Sequence, residues 1–464
     1  MIKDKTLFTI THLDDAGRLF IENGKLRRYI NKKYENKVKM LFKSGFIQEL
    51  IEKELLVPCT LVEKENNIYI ETEIISPIIY PHEWTFSMLK EAALTVLKIY
   101  EVCKKYNVGM KDCHSWNVLF VRDKALYCDI GSFISGKAGL MFNYKEFLES
   151  YYYPLILWSR GLEKTVKYSL LYDAIYPFHE FYFINSYFYR YILSELSFKF
   201  LKPEFLNRLF VFPFISDRKL KDKVSNDLLF FILKTLKAGL RVIFDNKIKR
   251  KYRKIQKLQL KLKTEWESYY GDKNPRLTDR MKKIIHYINE LSNKARTIIS
   301  FGSNQGYIEY EILNQTNIKK IICVDIDSKA LDLGFRKYAS NVGADKQIYF
   351  VNMDVCLPIT HPYMKSTYER FKSDIVMALA LTHHLILKYG YDIDYIFTEF
   401  LKYTNKYIMV EFMPLGLWTP GSKVDIPEWY NEEYFRRHFE KYFKVIKREK
   451  LEENRIIFIG EVIK

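Results

Sequence analysis

The chain has 464 residues, which at roughly 150 residues per domain predicts about three structural units with ample material for buried cores. Hydrophobic residues at 48% and charged residues at 28% match a folded soluble protein, and no uncharged run reaches the roughly 18 residues that a membrane span requires. The net charge of +18 predicts attraction to an anion, whether nucleic acid, a phosphorylated glycan or lipid, or an acidic membrane face, although Lys-rich coding alone gives the same balance.

The opening Met1-Ile2-Lys3-Asp4-Lys5 lacks the apolar stretch of a signal peptide. Cysteines at 59, 103, 113, 128, 323 and 356 form no CxxC pair, so neither a zinc site nor a disulfide framework is expected. Both features predict a cytoplasmic protein in a reducing compartment.

Residues 1–145 read as mixed α/β. Short β-type runs occur at Leu19-Phe20-Ile21, Asn67-Ile68-Tyr69-Ile70 and Ala125-Leu126-Tyr127-Cys128, with a hairpin turn at Asn23-Gly24. Within this stretch Asp112-Cys113-His114-Ser115-Trp116-Asn117 places an acid and an amide five residues apart, and Cys128-Asp129-Ile130-Gly131 follows a strand. That is the spacing of a kinase-like phosphotransfer site, in which the first acid takes a hydroxyl proton while the amide and the second acid hold magnesium on ATP phosphates. Asp112, Asn117 and Asp129 are therefore a candidate Mg-ATP site, with Asn117 and Asp129 as the metal ligands. No Gly-rich phosphate loop precedes them, and Lys25 and Arg28 are the candidates for the strand lysine. An active kinase, a kinase-like module without catalysis, and coincidence all remain open.

Residues 146–275 predict a helical, aromatic-rich and basic connecting segment. Tyr151, Tyr152, Tyr153, Trp158, Phe178, Phe181 and Tyr182 are expected in a core. Leu228–Phe244 is apolar but interrupted by Lys234, Lys237 and Arg241, the pattern of a helix lying on a surface or packed on a partner. Lys247–Lys263 has nine Lys or Arg and no acid, with Ile248, Ile255, Leu258 and Leu262 near helical spacing, which predicts a basic amphipathic helix able to meet an anionic membrane surface. A solvated connecting helix is the plainer alternative. The cluster Gly271-Asp272-Lys273-Asn274-Pro275 marks a boundary.

Residues 276–464 predict a Rossmann-like domain. After a helix over 278–292, the strand Thr297–Phe301 runs into Gly302-Ser303-Asn304-Gln305-Gly306, then a helix, then the strand Ile321–Val324 capped by Asp325. The glycines let the backbone pass close to a ligand, and Asp325 can accept both ribose hydroxyls. The strand Ile348–Val351 leads to Asp354, placed to contact an adenine amino group. The turn resembles the G-x-x-x-G form of class I methyltransferases, which implies S-adenosylmethionine held by Gly302, Ser303, Asn304, Gly306, Asp325 and Asp354.

The strand Ser373–Leu379 ends at Thr382-His383-His384-Leu385. No Asn, Asp or Ser followed by Pro-Pro and an aromatic occurs there, which argues against amino methylation of adenine or cytosine. His383 or His384 could act as general base toward a hydroxyl, or could pack and position the cofactor. The strand Tyr407–Val410 is followed by Glu411, expected beside the histidines to orient an imidazole or bind the acceptor. Two last runs, 443–447 and 455–462, predict an antiparallel ending.

The stretch Tyr80-Pro81-His82-Glu83-Trp84-Thr85-Phe86-Ser87-Met88-Leu89-Lys90-Glu91-Ala92-Ala93-Leu94, the block Lys111–Phe120, Cys128–Phe133, Tyr144–Leu155, Ala380–Leu385 and Val410–Pro414 together resemble a bacterial nodulation-host-specificity-like methyltransferase family, often encoded with surface-polysaccharide genes. The resemblance covers most of the chain and implies methylation of a glycan or lipid-linked glycan. Cys113-His114-Ser115-Trp116, where small residues and Tyr are more usual, and the long basic segment depart from the pattern. An RNA methyltransferase and a non-catalytic scaffold are the competing readings.

Overall fold

The computed structural model describes residues 6–7, 17–135, 143–172, 227–261, 263–264, 266–267, 275–360, 364–418 and 425–463. Of the aromatic residues expected in a core, Phe178, Phe181 and Tyr182 lie outside these, as do Leu262 and residues 271–274 of the expected boundary. The chain divides into two compact units: residues 1–82 with 88–262, and residues 83–87 with 263–464.

The first unit opens on an antiparallel sheet of β1 (Thr6–Leu7), β2 (Gly17–Glu22), β3 (Lys25–Ile30), β4 (Cys59–Lys64) and β5 (Asn67–Thr72), in the order β1-β2-β3-β5-β4. Asn23 and Gly24 have φ of 52° and 74° and join β2 to β3 with Glu22 opposite Lys25, the two-residue hairpin turn predicted for Asn-Gly. The helix Phe86–Tyr106 buries Leu89, Ala93, Val96, Tyr100 and Cys103, a spacing of three and four residues that puts one apolar face inward. Short strands follow: β6 (Val108–Met110) pairs with β9 (Phe133–Ser135), and β7 (Val118–Val121) with β8 (Lys124–Tyr127).

Tyr151, Tyr152, Tyr153 and Trp158 are buried in the helical run that follows, as their clustering predicted. The two expected helices around 228–244 and 247–263 form a single helix, Asp227–Lys257, which stops before Leu258. No Gly or Pro breaks the chain between Phe244 and Lys247, so helical hydrogen bonding continues through Asp245-Asn246. Phe244, Ile248 and Ile255 are buried. Phe244 meets Tyr100 and Tyr144 edge-on, Tyr100 Oη donates to Asp245 at 3.0 Å, and Lys90 Nζ donates to the Gln256 carbonyl at 2.8 Å. The connecting segment up to Leu262 falls in the first unit, where Phe244, Ile248 and Ile255 face protein; the side chains of 228–233 and 237–243 lie outside the described residues. No described helix is long and apolar enough to cross a membrane.

The second unit holds a seven-stranded sheet. Its strands are β10 (Thr297–Phe301), β11 (Lys320–Asp325), β12 (Gln347–Asn352), β13 (Ser373–Ala378), β14 (Thr404–Phe412), β15 (Phe443–Glu452) and β16 (Arg455–Val462). The order is β12-β11-β10-β13-β14-β16-β15. The first five are parallel, and β16 and β15 return antiparallel. Ile298, Ile299, Ile322, Val324, Val376 and Met409 are nearly fully buried, because helices on both faces make these strands continuously apolar. The Rossmann-like expectation and its antiparallel ending are borne out. The chain moves outward in one direction from β10 to β12 and in the other from β13 to β14, so a crevice opens at the carboxyl ends of β10 and β13.

The stretch Glu83–Ser87, part of the block that carries the family resemblance, belongs to this second unit. Arg370 reaches Glu83 with two hydrogen bonds of 2.5 and 2.8 Å, and the Ser87 amide donates to Asp332 at 2.6 Å.

Candidate functional site

The turn between β10 and the helix Tyr307–Gln315 lies at that crevice. Gly302 has φ of 69° and Gly306 of 73°, a left-handed backbone that glycine adopts without strain. A Cβ at Gly302 would lie 3.3 Å from the Leu381 side chain, and one at Gly306 3.0 Å from the Phe350 ring and 3.1 Å from Cys323 Sγ. The turn is therefore pressed against β11, β12 and the segment after β13.

Asp325, at the end of β11, accepts from the Asn304 amide at 2.7 Å and the Asp327 amide at 2.9 Å. Burial raises its pKa to about 6, against the pull of those amides. The carboxylate thus braces the glycine turn and sits at the position predicted to receive a ribose. Ser303 Oγ donates to the Val324 carbonyl at 3.3 Å. Asp354 lies two residues beyond β12, and its Oδ1 accepts from the Cys356 and Leu357 amides at 2.9 and 3.2 Å. Gly302, Ser303, Asn304, Gly306 and Asp325 are brought together at this edge, and the glycines and carboxylate are of the kind that could hold an adenosyl group.

Three residues that sequence reasoning missed complete this edge. Trp266 and Glu267 precede the second unit's first helix, and their carbonyls accept from Asn304 Nδ2 at 2.9 Å and Gln305 Nε2 at 2.8 Å. The Trp266 ring meets the His384 ring edge-on at 5.2 Å. A lone Trp in Lys263-Thr264-Glu265-Trp266 was the available signal, hidden by the basic run before it. Ile326, directly after Asp325, is 64% exposed, an apolar side chain left at the cofactor edge.

His383 and His384 follow β13 with ring centroids 4.1 Å apart. His383 is buried, and its Nδ1 has no hydrogen-bond partner among the described residues. Burial, with His384 and Arg455 nearby, lowers its pKa to about 3, so it is neutral at neutral pH. His384 is partly exposed.

Glu411 corrects its expectation. It is fully buried, with Arg280 donating Nε and Nη2 to its two oxygens at 2.6 and 2.7 Å and Arg455 adding a third bond at 3.0 Å. Desolvation favours the neutral acid, but the two guanidiniums outweigh it and hold the pKa below the usual carboxylate value. With both oxygens engaged by arginine, Glu411 ties the helix Asp279–Leu291 to β14 and β16; it neither orients an imidazole nor meets an acceptor. Its carbonyl accepts from Thr382 Oγ1 at 3.0 Å, which fixes the segment that carries the histidines.

In the first unit Asp112 follows β6, Asn117 ends the turn Ser115–Asn117 and Asp129 follows β8. Buried Tyr127 links the first two: its Oη donates to the Asp112 carbonyl at 2.7 Å and accepts from Asn117 Nδ2 at 3.2 Å. Ser132 Oγ donates to Asp129 Oδ2 and lies 3.4 Å from Asp112 Oδ2. Tyr127 and Ser132 thus link the three residues. Of the two strand candidates, Lys25 pairs with Glu71 at 2.7 Å, whereas Arg28 pairs with Asp129 at 2.6 Å.

The Asp129 carboxylate is already engaged in this arrangement. Asp129 Oδ1 already accepts from Arg28 and from the Gly131 amide, and Oδ2 from Ser132. Among the described residues no group of three or more His, Cys, Asp or Glu side chains is placed to hold a metal.

No family model matches the chain. It is 24% identical over 391 residues to nodulation protein NoeA of Rhizobium meliloti (strain 1021), across 81% of this chain and 78% of that protein. This match bears out the resemblance read from the sequence. Among solved structures, magnesium protoporphyrin IX methyltransferase from Synechocystis PCC 6803 with bound S-adenosylmethionine aligns at a TM-score of 0.32 and 12% identity, over 43% of this chain and 89% of that one. WbdD, solved with a kinase inhibitor, aligns at 0.29 and 14% identity over 39% of this chain and 40% of its own. The second unit has the fold of S-adenosylmethionine-dependent methyltransferases, on the strand order, glycine turn and acid already described.

Proposed function

We propose that this chain transfers a methyl group from S-adenosylmethionine to an oxygen of a sugar or phosphosugar in a bacterial surface glycan, and that its first unit binds that acceptor. The observation that carries the reading is the convergence of the Gly302–Gly306 turn, Asp325 and the His383-His384 pair on one crevice at the carboxyl ends of β10, β11 and β13. S-adenosylmethionine supplies an electrophilic methyl group. The protein's residues do the rest. The turn and Asp325 fix the adenosyl portion, Ile326 and Asp354 border the base, and Trp266 narrows the way to His384.

A sugar hydroxyl is hardly ionised at neutral pH and must lose its proton as the new bond forms. His384, partly exposed, is assigned that proton. His383 keeps its imidazole neutral through burial and packs behind its neighbour. The glycan as acceptor rests on the sequence resemblance and on the need for a base. In the first unit, the Arg28–Asp129 pair beside Asp112 and Asn117 supports binding of the acceptor.

The test offers purified protein with labelled S-adenosylmethionine to surface glycan from cells lacking the gene, and to total RNA from the same cells. Label and the added mass of one methylene on a sugar support the reading. Label in RNA, or in neither pool, overturns the acceptor assignment.

A further inference from the structure

The geometry points to a binding groove for a pyrophosphate ester in the first unit, away from Asp112 and Asp129 in sequence and made by different side chains. It lies between the end of the helix Phe46–Glu52, the helix Phe86–Tyr106 and the helix Asp227–Lys257, and encloses about 670 Å³. That is the size of a cavity for a nucleotide-sized ligand. Leu55, Leu97, Val102 and Ile248 form its floor, each almost wholly buried.

Cations ring this apolar floor. On the helix Phe86–Tyr106, Lys98, Val102 and Lys105 recur at four and three residues, and on Asp227–Lys257 the pairs Ile248/Tyr252 and Lys249/Arg253 recur at four, so each helix turns one face to the groove. The two acids present are already neutralised. Glu49 is held by Lys105 at 2.5 Å and Lys53 at 3.5 Å, and Glu101 by Lys104 at 2.8 Å. Lys98, Lys249 and Arg253 have no acidic partner among the described residues.

Three unpaired cations from two helices around one opening offer more positive charge and more donors than a single carboxylate can satisfy. A pyrophosphate, with several oxygens and at least two negative charges, meets an arginine fork and two ammonium groups together. Tyr252 and the apolar floor would take the remainder of the ester, either a nucleoside or a prenyl chain. The two sources share the same recognised chemistry.

The experiment is calorimetry of the full chain with inorganic pyrophosphate, with uridine diphosphate, and with neutral-lipid vesicles carrying farnesyl diphosphate. Binding should weaken by about 10-fold or more in Lys249→Glu/Arg253→Glu, since a hydrogen bond between a cation and a phosphate oxygen is worth at least that factor. Arg250→Glu/Lys257→Glu makes the same charge change on the same helix outside the groove and should leave binding unchanged. Uridine diphosphate binding more tightly than pyrophosphate identifies a soluble nucleotide, and the vesicles binding more tightly identifies a lipid ester. Equal losses in both double variants reduce the effect to net charge and overturn the site. So does the absence of binding to all three probes by the unaltered chain. Circular dichroism and the melting temperature of each variant establish that it folds. None of these readouts uses methyl transfer, so failure here leaves the proposed activity standing.

Discussion

Arg28 on β3 donates Nη1 to Asp129 Oδ1 at 2.6 Å, across 101 residues of chain. The pair is mostly buried, with the side chains 13% and 24% exposed, so removing one partner leaves the other charged and poorly solvated. Asp129→Ala should destabilise the first unit by about 2 to 4 kcal/mol, a little under the cost for a fully buried pair, and a double cycle with Arg28→Ala should recover part of that loss. Burial pushes the Asp129 carboxyl up, but Arg28 and Ser132 pull it below the usual value. Its stabilisation is therefore present above the unfolded pKa of about 3.9 and lost as pH falls through the lower folded one. Calorimetric melts from acid to neutral pH check both. Magnesium alone should not raise the melting temperature; a rise that Asp129→Ala removes would mean that the ion displaces Arg28.

Asp325→Ala should weaken S-adenosylmethionine binding by roughly 10- to 150-fold, the worth of about 1.5 to 3 kcal/mol for hydrogen bonds to a charged acceptor. Because burial raises this carboxyl to about 6, affinity in the unaltered protein should also decline as pH falls below that value. Titration calorimetry across that range reads both effects. Unchanged affinity in a folded variant removes the residue from the cofactor site.

His384→Ala should lower kcat on the true acceptor by about 10² to 10⁴, the usual contribution of a general base, with little change in cofactor affinity. His383→Ala should act mainly on stability, because a buried imidazole with its pKa lowered to about 3 accepts a proton poorly. Parallel turnover, cofactor titration and melting measurements separate the roles. A larger kcat loss at His383 than at His384 would reverse the assignment.

Glu309 lies fully buried beneath the glycine turn, and Ser300 Oγ donates to it at 2.6 Å. Burial raises its pKa from 4.5 to about 7. The folded state thus holds a proton that the unfolded state has released, and stability falls as pH rises from about 4.5 to about 7. Glu309→Gln stays neutral and keeps an acceptor for Ser300. Its melting temperature should exceed that of the unaltered chain at pH above 7 and converge with it below pH 5. A pH-independent difference between the two would mean that Glu309 does not titrate in this window.

Much of the second unit was legible in the sequence because its signals are local. An apolar run of five or six residues, a glycine turn and an acid after the next strand each specify their own backbone, and their order fixes which ends of the strands meet. Gly302, Gly306, Asp325 and the His383-His384 pair could therefore be placed from spacing alone. Asp112, Asn117 and Asp129 were found in the same way, from one short loop and one strand end.

The tertiary structure decided the partners that come from distant parts of the chain. Glu411 looked free for chemistry until Arg280 and Arg455, 131 and 44 residues away, were found closing on it. Spacing could not show that Arg28 would reach Asp129 Oδ1, and Trp266 looked like part of a linker until Asn304 reached its carbonyl. Phe244 on the helix Asp227–Lys257 belongs to an apolar run that a membrane or a protein core could equally bury, and only its packing against Tyr100 and Tyr144 decided where that side chain lies. A side chain's charge and shape are written locally, but whether that charge is available depends on which opposite charge folding brings within about 3 Å, and one-dimensional spacing does not encode that distance.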